Sequence, residues 1–229
     1  MRTMVLMTRR WAATAVICGA LVVGCSNGGT GGEGAASGTG GHAEPLKDEP
    51  KPLAAGELNP LLLTSTDLGY GYIQNPNLAD DADDKNDDVT TQGCSALEKL
   101  GKSDSDLNFA AKAEASFIYD TSTLGEELHS DRPSVLSAKL SKLFNAYLAC
   151  SSYILNTGST PIEVQVSKSP LPKVGDEQFG YSSTLNLPAG PQVVKTLAVR
   201  KGNVAVILVG APGLVDRHID KAVGKLPAA

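Results

Sequence analysis

Aromatic residues are scarce in this 229-residue sequence, at 5% of the chain, and the single Trp, Trp11, lies near the N-terminus. So few flat side chains weaken the case for a large chamber built around an apolar ligand. Cysteine is scarce too: Cys18 and Cys25 sit near the start, and Cys94 and Cys150 have no Cys-x-x-Cys spacing that would suggest metal or redox work. Histidine is limited to His42, His129 and His218, and the sequence contains no His-Glu-x-x-His, no Gly-x-Ser-x-Gly and no phosphate loop. No nucleophile–base set, metal-ligand set or cofactor motif can be assembled from what is left, so the reading is of a chain without enzymatic activity or cofactor. Positive charge is the remaining shortage. Losing Arg2, Arg9 and Arg10 with an N-terminal leader takes the formal charge from −5 to −8. That balance argues against nucleic acid or an anionic lipid surface as the main partner, since both require clustered cations.

What is present begins with a three-part N-terminus. Arg2, Arg9 and Arg10 give a positive start, an uncharged run follows from Trp11 to Val23, and Leu21-Val22-Val23-Gly24-Cys25 ends it. This is the layout of a secretory signal, and the run is too short to span a bilayer, which takes about 20 residues. Leu-Val-Val-Gly-Cys resembles the bacterial lipobox, whose Cys thiol receives a diacylglyceryl group before the chain is cut just ahead of it. The resemblance makes residues 1–24 a lipoprotein signal peptide and Cys25 the lipidated residue. It implies a partner, the membrane itself, reached through the lipid, and a place on the extracytoplasmic face. Two acyl chains anchor durably where one is marginal. Thr8-Arg9-Arg10-Trp11 faintly resembles a twin-arginine export signal, although small alanines follow the pair.

Residues 25–57 read as a tether: glycine dominates to His42, and Pro and charged residues dominate to Pro52. Such a segment has too little apolar surface to offset the entropy of ordering it. Residues 58–229 read as one domain. Within it, the Asp80–Asp88 run is dense in carboxylates but departs from the calcium-hand pattern, because Lys85 breaks the alternation and no Gly follows. It reads as a solvated loop.

Periodicity organises the rest. Cys94–Leu100 reads as a short helix stopped by Gly101. Ala111, Ala113, Ala115, Phe117 and Tyr119 recur at every second position, as in a strand, and the small alanines imply something packed closely over it. Thr123–Ser130 reads as a second strand, with His129 at an exposed sheet edge. Pro133 opens the clearest helix, with Asp131 as its cap and a stripe of Leu136, Leu140, Leu143, Phe144 and Tyr147 facing the core. Strands follow at Thr160–Val166, Phe179–Leu187, Val193–Arg200 and Val204–Val209, the last apolar throughout and so central and covered on both faces. Lys201-Gly202-Asn203 marks a hairpin. Asp216–Leu226 closes the chain as a helix, with His218 on its solvated face. Oxidising conditions outside the cytoplasm make Cys94 and Cys150 an expected disulfide pinning the two helices together. The expected fold is α+β: an antiparallel sheet of about five to six strands, helices on one face, one disulfide.

The order of elements resembles the extracellular sensor domain of mycobacterial serine/threonine kinases and related small actinobacterial envelope lipoproteins. Carrying the resemblance are Leu61-Leu62-Leu63 with Asp67-Leu68-Gly69, Cys150 closing the long helix, Val174-Gly175-Asp176-Glu177 between strands, and Val199 to Asn203 before the last strand. The sensor domains carry two disulfides and a Trp near the second Cys, and the mature chain has cysteines for one bridge and no Trp. The resemblance implies a non-enzymatic sensor or regulator whose partner is a membrane sensor protein or a small envelope ligand. A carrier of a lipid or other apolar ligand is the alternative, and it calls for a cavity of several hundred Å3.

Overall fold

The computed structural model describes residues 49–75, 89–102, 107–157 and 160–228. Cys25, the tether as far as residue 48 and the acidic Asp80–Asp88 run lie outside them. Among the described residues, nine strands form one wholly antiparallel sheet in the order β1-β3-β4-β9-β8-β7-β6-β5-β2. In chain order these are β1 (Tyr72–Gln74), β2 (Val89–Gln92), β3 (Ala111–Tyr119), β4 (Ser122–Ser130), β5 (Ser152–Thr157), β6 (Thr160–Lys168), β7 (Glu177–Leu187), β8 (Gly190–Lys201) and β9 (Val204–Gly210). The helices are α1 (Ala55–Leu58), α2 (Ser65–Leu68), α3 (Ser95–Lys102), α4 (Pro133–Leu148) and α5 (Pro212–Lys225), with a 3-10 turn at Asn59–Leu61. None of the described helices is long and apolar enough to cross a membrane.

The sheet is larger than the sequence led us to expect, and both of its faces are covered. One core contains Phe117, Leu124, Leu128, Val206 and Leu208 under α5 and the N-terminal segment. The other holds Tyr153, Val164, Tyr181, Ala205 and Ile207 under α3 and α4. Helices on a single face was therefore the wrong arrangement. The strand missed at β5 is a short Tyr-Ile-Leu run, and the one at β2 is Val-Thr-Thr-Gln at the sheet edge, paired only with β5. A four-residue polar strand has no alternation to read, and pairing confers its state.

Elsewhere local signals and structure agree. β9 is central, and Val204, Ala205, Val206 and Leu208 are wholly inaccessible to solvent. Its hairpin with β8 turns at Gly202 and Asn203, with Gly202 at φ 59°. Ala113 and Ala115 of β3 lie under the N-terminal segment, where Leu58 and Leu63 are buried. Packing starts ahead of the compositional boundary at residue 58: the Leu53 N–H donates to Ser130 Oγ at 2.9 Å, and Glu49 accepts from Ser134 Oγ at 2.8 Å at the start of α4. Asp131 does not cap α4. Its Oδ1 accepts from the Arg132 N–H and its Oδ2 holds Lys139 Nζ at 2.6 Å. Cys94, just before α3, bonds to Cys150, just after α4, with Cα atoms 5.9 Å apart. The two helices are pinned by the bridge expected between this pair of cysteines.

Candidate functional site

A groove runs between the sheet and α4. Glu127 and His129 of β4, Ile207 and Val209 of β9, Thr196 of β8 and Ser183 of β7 form its floor, and Leu143 and Tyr147 of α4 its roof. These floor residues share one face because they stand at alternate positions of their strands. The enclosed space is about 70 Å3.

His129 was read as a surface residue at a sheet edge. It is instead 3% exposed, because β4 lies between β3 and β9 and Phe109 covers its ring at a centroid distance of 4.2 Å. His129 Nε2 lies 2.9 Å from Glu127 Oε2. In the neutral ring whose Nε2–H donates to the carboxylate, Nδ1 keeps its lone pair, and no group among the described residues answers it. Ser183 Oγ, on a residue 2% exposed, is likewise without a partner among the described residues.

A buried His, a carboxylate and an unpartnered serine in one groove invite comparison with a hydrolytic triad. The register forbids it. Glu127 lies opposite Ile207, Ile207 opposite Ala198, and Ala198 opposite Phe179. Ser183 is therefore three strands away, roughly 14 Å at about 4.8 Å per strand, and further along β7. The hydroxyl and the imidazole stand at opposite ends of the groove, beyond proton-transfer reach.

Between them lies a phenol cluster. Tyr147 and Tyr181 stack with centroids 4.6 Å apart and an interplanar angle of 15°. Burial pushes both hydroxyls up in pKa, Tyr181 the further, so both stay protonated hydrogen-bonding groups. The Glu127 charge adds to the rise at Tyr147, which places that carboxylate within electrostatic reach of the groove's roof.

The opposite face of β4 carries a second buried carboxylate, which sequence reasoning missed. Glu126 is 1% exposed, accepts the Leu63 N–H at 2.6 Å through Oε2, and has no partner for Oε1 among the described residues. Burial outweighs the hydrogen bond and the nearby Lys225, raising its pKa from 4.5 to about 7. The Glu126-Glu127 pair was visible in the sequence, but which of the two points into which core is set by register alone. His218, read as solvated, is 5% exposed and its Nε2 lies 2.7 Å from Tyr72 Oη. Desolvation and then the charges of Arg217 and Lys221 lower its pKa. The turn carboxylates Asp176 and Glu177 both hold Arg200, at 3.1 and 2.7 Å, a structural staple and not an acid–base pair. Among the described residues, no group of three or more potential metal ligands is assembled.

No family model matches the sequence, and no curated protein matches it significantly. Among solved structures, the extracellular domain of PknH from Mycobacterium tuberculosis matches with a TM-score of 0.50 at 10% sequence identity, over 76% of this chain and 97% of that one. At that identity the likeness is one of fold, and at that level it bears out the sensor-domain resemblance read from the turn motifs.

Proposed function

We propose that this chain is a membrane-anchored extracytoplasmic lipoprotein whose domain works as a non-enzymatic sensor or regulator of a cell-envelope signalling system. In this reading residues 1–24 are removed, lipid on Cys25 holds the protein at the membrane, and the segment ahead of the packed Glu49 lets the domain reach a membrane protein or a small envelope ligand. The observation that carries the sensing role is the groove under α4, where buried His129 and Ser183 each keep a polar atom that no group among the described residues satisfies. An unanswered buried polar atom costs about 1–3 kcal/mol, and a bound ligand is one way to recover it. The fold shared with a kinase's extracellular domain is consistent with this role.

The carrier reading has less behind it. A space of about 70 Å3 is roughly half the 150 Å3 of an engineered cavity that takes benzene, too small to enclose an acyl chain.

The test is fractionation with cross-linking in intact cells. Wild type is expected in the membrane fraction, cross-linked to a membrane protein. Cys25→Ser is expected in the soluble fraction with that product lost, because tethering supplies the effective concentration. Retention of Cys25→Ser with the membranes would dismiss the anchor. A wild type that yields no membrane-protein product and saturates with no small molecule would dismiss the sensor.

A further inference from the structure

The groove's charge, acceptors and size point to one class of ligand. Glu127 lies directly opposite Glu114 of β3. Opposed carboxylates on one sheet face repel. Lys112 serves Glu114, with Nζ 3.3 Å from its Oε2. Lys139, the other nearby cation, is held by Asp131 and by the carbonyl of Asn108, above the Phe109 ring. Among the ion pairs of the described residues Glu127 faces His129, and its side chain is 19% exposed, open to a ligand entering from outside. The unanswered Nδ1 of His129 calls for a donor in the tautomer described above. Apolar Ile207 and the Tyr147 ring flank the position, and aromatic faces favour cations. An anion would meet two carboxylates, and a purely apolar molecule would leave the buried acceptor unanswered.

We propose that this end of the groove seats a primary ammonium group on a short unbranched carbon chain, its charge against Glu127 and its chain over Ile207 beneath Tyr147. The space of about 70 Å3 limits the enclosed part to about three non-hydrogen atoms, by comparison with the six of benzene in a cavity of about 150 Å3. A longer amine would project from the mouth. The assignment rests on the ligand-binding reading above and adds the chemistry of the ligand.

The experiment titrates the full-length protein with n-propylammonium, following the His129 ring resonances by NMR, with propionate and 1-propanol as probes of matched size. Saturable shifts are expected with propylammonium and with neither control. Glu127→Gln is expected to weaken binding on the order of tenfold or more, while Glu163→Gln, exposed on β6, leaves it unchanged. Val209→Phe narrows the groove without altering its charge and is expected to abolish binding, so the idea can fail even if Glu127→Gln does not fold. No saturable shift with propylammonium, or equal binding by Glu127→Gln, overturns the proposal. Equal binding of propanol overturns the ammonium assignment while leaving the sensor reading intact. Failure of the cross-linking experiment would remove the sensor and leave an amine site in place.

Discussion

Glutamine in place of Glu126 removes one proton-binding group from the core and changes little else in shape. The wild-type carboxyl is 1% exposed and its pKa stands at about 7, against 4.5 for an unburied glutamate. The folded protein therefore holds this proton more tightly than the unfolded chain does. The sign follows: the contribution is fully present below pH 4.5, is lost as pH rises toward about 7, and is absent above that. At about 1.4 kcal/mol per pH unit, the interval amounts to about 3 kcal/mol of stability lost across that window. The amide of Glu126→Gln does not titrate, and its carbonyl oxygen still accepts the Leu63 N–H. Its two donors meet the pocket where Oε1 has no partner, a cost that does not vary with pH. Stability of the variant relative to wild type should thus climb by about 3 kcal/mol between pH 4.5 and pH 8. The difference matters, because His218 acts with the opposite sign. Its lowered pKa makes stability rise with pH up to its unfolded value, 6.5, in both proteins, so it cancels. Asp67, lowered to about 2 chiefly by the Lys225 hydrogen bond, acts only below 3.8. Urea unfolding followed by circular dichroism gives the free energies. A relative stability that stays flat across this range would show that Glu126 titrates as an exposed glutamate does, and the burial argument would be wrong.

The disulfide joins residues 56 apart in sequence, and the chain-entropy relation gives about 4 kcal/mol for a loop of that size. Cys94→Ser with Cys150→Ser should lower the urea midpoint accordingly, and adding reductant should shift wild type while leaving the double variant unmoved. A Gly175→Ala protein should be less stable by about 2 kcal/mol. Gly175 has φ 69°, and an added Cβ would sit 2.4 Å from Val199 Cγ1 and 2.7 Å from the Arg200 carbonyl oxygen. A thermal midpoint equal to wild type would refute that reading of the turn.

Much of the fold was legible because it is written in local period. The stripe on α4 and the alternation along β3 and β7 each follow from the geometry of one element. β9 announced its central place because it is apolar at every position. Turns were legible for a similar reason: Gly175 and Gly202 both occupy positive φ, a region in which a side chain is strained. β2 and β5 were not legible, since each is short and depends on its neighbour.

The site was legible only in part. The sequence by itself determined that Glu126, Glu127 and His129 lie on one strand, that adjacent residues of that strand face opposite ways, and that Cys94 and Cys150 were free to pair. Tertiary structure decided that β4 is an interior strand, which buries His129 and sends Glu126 into one core and Glu127 into the groove. It decided too that Ser183 stands three strands from His129, turning a set of catalytic residue types into the two ends of one groove. The physical reason is range. Strand period and turn chemistry act over a few residues of chain, whereas burial and cross-strand distance depend on which strands become neighbours.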